Sequence, residues 1–146
     1  MKDRIILLVE DNPDDETLIL RALRKANLAN GVVVAHDGVE ALDCLFGTGV
    51  YAAREPVKPV LTLLDLKLPK VNGLEVLECI RGDDRTKRLP VVILTSSGEQ
   101  SDVLRGYELG VNSYVCKPIE FDGLSQAIAQ LGLYWLLLNE PPPDGR

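Results

Sequence analysis

Five short runs rich in Val, Ile and Leu recur along the chain: Arg4 to Val9, Gly31 to His36, Val60 to Leu64, Val91 to Leu94 and Ser113 to Cys116. Near-continuous apolar runs of this length suit strands of a parallel sheet covered on both faces. A helical pattern follows each one. After the first run Asn12 reads as an N-cap and Pro13 as the first helical residue, with Asp14, Asp15 and Glu16 in the positive first turn. Leu18, Ile19, Ala22, Leu23 and Ala26 then share one face. Ala41, Leu42, Leu45 and Phe46 make a second apolar face, and Leu74, Leu77 and Ile80 a third, after a turn bracketed by Pro69 and Gly73. Ser96 and Glu99 offer a capping box for a fourth helix, which Gly106 weakens and Gly110 ends. A fifth helix begins near Phe121. The segment from Gly47 to Pro59 is longer than most connections, and Asp83 to Pro90 is a charged loop.

Five βα units joined this way predict an α/β fold, a doubly wound five-stranded parallel sheet of order 2-1-3-4-5. In that order the ends of strands one and three meet at the switch point, where open α/β sheets bind ligands. The polar residues that close the runs gather at that edge. Glu10 and Asp11 follow the first strand, Asp65 the third, Thr95 the fourth and Lys117 the fifth.

That grouping narrows the chemistry. A helix-capping cluster accounts for Asp14 and Asp15, but not for Glu10 and Asp11, because Asn12 already fills the cap. Converging carboxylates repel unless a cation sits among them. Oxygen ligands without His or Cys suit Mg²⁺. Asp65 is either a turn-capping carboxylate or a nucleophile that forms an aspartyl phosphate. Lys117 is either a surface lysine or the partner of Asp65 and, later, of phosphate oxygens; a cis Lys117–Pro118 bond would aim it inward. Thr95 could donate to a phosphoryl oxygen.

These residues, in this order and with Asp65 inside Leu-Leu-Asp-Leu-Lys-Leu-Pro-Lys-Val-Asn-Gly, resemble the receiver domain of two-component response regulators over roughly residues 3 to 132. The resemblance implies a flavodoxin-like receiver fold with Asp65 as phosphoacceptor, fed by a phosphohistidine on a sensor histidine kinase. Glu10, Asp11, Asp65 and the backbone carbonyl of Lys67 would hold Mg²⁺. Thr95 and Lys117 would contact the phosphoryl group, and Thr95 and Tyr114 would form the switch. Such a protein assists only its own phosphorylation and dephosphorylation, and it can pass phosphate to a histidine phosphotransfer protein. A dehalogenase-type phosphatase would want a second Asp where Lys67 stands, and no G-x-G-x-x-G or P-loop supports a nucleotide site.

The end of the fifth helix adds a surface. Leu124, Ile128, Leu131, Trp135 and Leu138 form a stripe that can cover the sheet, while Leu133, Tyr134, Leu136 and Leu137 make the last turns apolar nearly all round. Burial within the chain is one outlet; a homodimer contact through Leu131, Tyr134, Trp135 and Leu138 is the other. This ending, with the long second loop, resembles the stand-alone regulators paired with phytochromes.

Composition removes other classes. The 146 residues fit one domain, expected over 1–140, with a Pro-rich tail at 141–146 and no output domain. A net charge of -6 disfavours nucleic acid. No apolar stretch reaches the ~20 residues of a membrane span, and no signal-peptide pattern opens the chain, so the cytoplasm is expected. Three cysteines without a close pair read as small core hydrophobes. His36, the single histidine, reads as an ordinary strand-end residue.

Overall fold

A computed structural model describes residues 4–28, 31–118 and 120–143. The last three residues of the expected tail, and residues 1–3, lie outside the described residues. The strands are β1 (Ile6–Val9), β2 (Val32–Ala35), β3 (Leu61–Leu64), β4 (Val91–Thr95) and β5 (Ser113–Cys116). The helices are α1 (Pro13–Lys25), α2 (Gly38–Phe46), α3 (Gly73–Arg81), α4 (Gln100–Glu108) and α5 (Phe121–Gly132). All pairings are parallel and the order is β2-β1-β3-β4-β5, as the apolar runs predict.

Period-2 alternation sends successive strand residues to opposite cores. Leu7, Val9, Leu64, Val91 and Ile93 join the buried faces of α2 and α3. Ile6, Leu8, Leu61, Leu63, Val92 and Leu94 join α1 and α5, through Ile19, Ala22, Leu23, Leu124 and Ile128. Covering both faces is what forces the strands to be apolar throughout.

Local sequence explains most element ends. Asn12 Oδ1 accepts from the amides of Asp14 and Asp15 at 2.9 and 3.0 Å. Asn72 and Glu75 form a reciprocal capping box on α3, a signature readable as Asn-x-x-Glu yet not used above. The capping box expected at Ser96 and Glu99 does not form. The helix starts at Gln100 with no side-chain cap, because the chain leaves β4 as an extended loop that buries Ser97 instead of Ser96. The Ser97 hydroxyl then donates to Asp102 Oδ2 at 2.6 Å. Gly106 has a packing role rather than a merely weakening one: it is buried, and a Cβ there would lie 3.1 Å from Ile93 Cδ1 and 3.4 Å from Tyr114 Cδ2.

One further expectation changes. Cys44 is buried, its thiol pushed up to about 11 by that burial, but Cys79 and Cys116 are exposed and not core residues. The Lys117–Pro118 bond is trans.

The last turns also depart from the simple stripe. After Gly132 the helix widens into a π segment, Leu133–Leu138, closed by the Asn139 amide donating to Tyr134 O. The wider turn advances each residue by a smaller angle, so Leu136 joins Trp135 against the core while Leu138 is left 67% exposed. Among the described residues, no helix is long and apolar enough to cross a membrane.

One core position is chemically odd. Thr62 on β3 is fully buried, and its Oγ1 has no hydrogen-bond partner among the described residues. A buried hydroxyl without a partner costs free energy that an apolar isostere does not. Thr62→Val is therefore expected to raise the unfolding free energy by about 1 kcal/mol, read as a higher urea midpoint at unchanged slope.

Candidate functional site

The sheet ladder continues one residue past its strands, and that extension builds the site. The Glu10 amide donates to Ala35 O at 3.0 Å, the Asp65 amide to Val9 O at 3.1 Å, and the Lys117 amide to Thr95 O at 2.7 Å. Because Val9 is in register with Leu64, the residues after them, Glu10 and Asp65, emerge side by side. Backbone pairing thus fixes three of the polar residues before any side-chain contact is made.

The Lys117 ammonium fills the centre. Its Nζ donates to Glu10 Oε1 at 2.7 Å, to Asp15 Oδ2 at 2.8 Å and to Asp65 Oδ2 at 3.2 Å. An ammonium has three N–H groups, so all are engaged. Asp65 is held from its other side, where Oδ1 accepts from the Leu66 amide at 2.7 Å. Glu10 Oε2 accepts from the Asn12 amide at 3.2 Å. The Glu10 side chain is 1% exposed, that of Asp65 9%, and that of Asp15 37%.

Burial sets the electrostatics. The Glu10 carboxyl is pushed up to about 7, first by loss of solvent; the Lys117 bond lowers it and the neighbouring Asp65 charge raises it further. Burial works against the Lys117 charge as well. Its bonds to Asp15 and Glu10 and the charge of Asp65 nonetheless hold it above an ordinary lysine, so it stays protonated. Glu10 carries the cost of burial, and the lysine offsets it only in part.

The acidic residues also fit a metal. Glu10, Asp11 and Asp65 each offer a carboxylate oxygen, and the three atoms lie within 4.8 Å of one another. Asp11 is exposed while the other two are buried. This all-oxygen set, with one carboxyl displaced towards neutrality chiefly by burial and further by the Asp65 charge, suits a hard divalent cation.

The loop from β3 to α3 must pass close to Asp65. A Cβ on Gly73 would run into the Asp65 carbonyl oxygen and approach Leu66 Cα within 2.7 Å, so glycine is required by contact with backbone. The Gly73 amide donates to Leu66 O at 2.8 Å, which ties the loop down. Lys67 lies in this loop with its residue exposed.

Thr95 and Tyr114 sit beside the acidic group and share one neighbour. Thr95 is fully buried, and its Oγ1 accepts from the Ser97 amide at a long 3.4 Å. The Tyr114 hydroxyl donates to Ser97 O at 2.8 Å. Burial is the chief cause of a phenol pushed above its usual range. Ser97 and Asp102, which connect Thr95 and Tyr114 to the first turn of α4, were not anticipated from sequence. Neither was Asp15. Asp14 and Asp15 look alike in a capped first turn, and only the packing of the β5 end over α1 decides which one meets Lys117. Leu131, Tyr134, Trp135 and Leu138 are not part of this cluster; they lie on α5 and its π extension. His36 Nε2 pairs with Glu16 Oε1 at 2.9 Å.

Comparison with known proteins agrees with this geometry. The model of the response regulator receiver domain matches residues 6–129. The crystal structure of the phosphorylated cyanobacterial phytochrome response regulator RcpA is 40% identical, with a TM-score of 0.87, over 95% of this chain and 98% of that one. The Mn(2+)-bound form of response regulator Rcp1 is 36% identical, with a TM-score of 0.86, over 95% of this chain and 99% of that one; Rcp1 is from Synechocystis sp.. The bacteriophytochrome response regulator AtBRR is 57% identical, with a TM-score of 0.77, over 96% of this chain and 100% of that one.

The raised Glu10 carboxyl gives a pH prediction. An ion bound through Glu10 must displace its proton, so Mg²⁺ affinity should rise with pH until about 7 and then level. Isothermal titration calorimetry near pH 6 in buffers of different ionisation enthalpy should register proton release on binding. Glu10→Gln should abolish that release and weaken the ion.

Proposed function

The chain belongs to the response regulator receiver family, and on that premise we propose that Asp65 accepts a phosphoryl group from the phosphohistidine of a sensor histidine kinase. A carboxylate oxygen of Asp65 attacks phosphorus, the N–P bond breaks and the electron pair returns to the imidazole, leaving an acyl phosphate. The observation that carries this reading is the Asp65 carboxylate itself. It is nearly buried, oriented by the Leu66 amide and reached by the Lys117 ammonium, within an acidic set of ion-binding size.

The surrounding residues take complementary roles. Glu10, Asp11 and Asp65, with the carbonyl of Lys67, would hold Mg²⁺, which would neutralise charge on the phosphoryl oxygens. Lys117 keeps its positive charge and turns from the resting carboxylate to a phosphoryl oxygen. The Thr95 hydroxyl gives up its long bond to Ser97 and donates to the new group, which brings about two negative charges at neutral pH. Tyr114 then moves into the vacated space. Ser97 carries the change to α4, so the face made by α4, β5 and α5 differs between two packings whose populations phosphate shifts.

A partner reads that face. The similarity to phytochrome response regulators favours a phytochrome-type kinase upstream and a histidine phosphotransfer protein as a possible receiver of the phosphate, all in the cytoplasm. The apolar end of the chain favours self-association as well. Tyr134, Leu137 and Leu138 are 49%, 70% and 67% exposed, with Leu131 and Trp135 half-buried beside them. Leaving such side chains in water forfeits ~1.5–3 kcal/mol each relative to burial.

Incubation with acetyl phosphate and Mg²⁺ should add one phosphate by intact-mass spectrometry, and Asp65→Asn should add none. Unmodified wild type would refute the reading, and steady turnover of an outside phosphoester would replace it with a phosphatase. Sedimentation should find a dimer that Leu138→Glu dissociates; a wild-type monomer at micromolar concentration ends the self-association.

A further inference from the structure

The third arm on Lys117 has no place in the reading so far, and its geometry is particular. The ammonium sits closer to Glu10 and Asp15, at 2.7 and 2.8 Å, than to Asp65 at 3.2 Å. All three of its N–H groups are engaged, so none is free to meet an incoming phosphoryl oxygen. The Asp65 bond is the one that passes to the phosphoryl oxygen, and the two shorter bonds then compete with it for the ammonium. Glu10 cannot loosen its bond readily, because its side chain is 1% exposed and little water can take the lysine's place there. Asp15 can. Its side chain is 37% exposed, and water can replace the lysine there. It also stands on the first turn of α1, where its carboxylate is favoured by the helix dipole even without Lys117.

We infer that Asp15 is a positioning residue that holds the Lys117 ammonium back from Asp65 in the resting protein and competes with the phosphoryl group for it. It acts through Lys117 and touches neither Asp65 nor the phosphoryl group. This deepens the receiver reading and rests on it. The consequence is a restraint on phosphoryl capture: the resting lysine is divided among three carboxylates, and the exposed one sets how readily it transfers. Asp14 provides an internal control. It carries the same charge one residue earlier, its residue is exposed, and its carboxylate makes no contact with Lys117. A change in bulk charge acts through both residues; a change in the lysine's tether acts through Asp15 alone.

The test compares wild type, Asp15→Asn, Asp15→Glu and Asp14→Asn for beryllofluoride affinity at saturating Mg²⁺, and for Mg²⁺ affinity by itself. A metal-free readout, the acylation rate of Lys117 followed by peptide mass spectrometry, accompanies them. Asp15→Asn is expected to bind beryllofluoride about three- to five-fold more tightly, the scale of one partly exposed ion pair, and to acylate faster at Lys117. Asp14→Asn should leave both at the wild-type level, and Asp15→Glu, which keeps the charged arm, should behave as wild type. Mg²⁺ affinity should fall more in Asp15→Asn than in Asp14→Asn, because the released ammonium moves towards Asp65, a member of the metal-sized trio. Beryllofluoride affinity in Asp15→Asn that is unchanged or weaker, or a gain that Asp14→Asn reproduces, overturns the restraint while the receiver reading stands. Wild type that binds no beryllofluoride with Mg²⁺ present overturns both.

Discussion

One ammonium group holds together a sheet edge whose carboxylates would otherwise repel. Lys117 Nζ lies within 3.2 Å of three acidic side chains, two of them almost without solvent. Burial raises the Glu10 carboxyl, and the neighbouring Asp65 charge raises it further. Removing a partner from a buried ion pair costs about 3–5 kcal/mol, because a charge is left unpaired. The position of Lys117 therefore constrains everything next to it. β5 must end beside β4, its backbone must continue the ladder to Thr95, and the chain must then turn into α5 over α1.

The same edge contains both a firm and a loose part. Asp65 is firm: its amide, its Oδ1 and the backbone around it are all engaged, and Gly73 permits the loop to lie directly on it. The connection from Thr95 to α4 is loose. It begins with a 3.4 Å hydrogen bond to the Ser97 amide and continues through the Ser97 hydroxyl to Asp102. Gly106 is the one buried residue of α4, and the helix exposes Leu104 and Tyr107. A helix with so little buried surface is inexpensive to reposition.

The opposite rim of the sheet is braced. The Arg81 guanidinium, at the end of α3, donates to the carbonyls of Lys87, Leu89 and Gly110 and to Asn112 Oδ1, all between 2.8 and 3.1 Å. Asn112 Oδ1 also accepts from the Val91 amide at 2.8 Å. The loops that feed β4 and β5 are thereby tied together at their entry. The apolar π segment after α5 is the other exposed feature, and its side chains lie apart from the site.

Sequence alone determined the strand and helix alternation, the doubly wound class and the set of residues at one edge, because apolar runs and caps are local properties of the chain. It also placed Glu10, Asp11, Asp65, Thr95 and Lys117 at that edge, since each is a polar residue at the end of a run. It did not determine which acid of the α1 first turn meets Lys117, that Ser97 rather than Ser96 faces inward after β4, which cysteines are buried, or that Leu136 rather than Leu138 packs on the core. Those outcomes depend on how elements far apart in the chain are rotated against one another, and a rotation of one residue leaves the linear pattern unchanged. Tertiary packing decided them, through the docking of β5 on β4, of α5 on α1 and of Gly106 on Ile93.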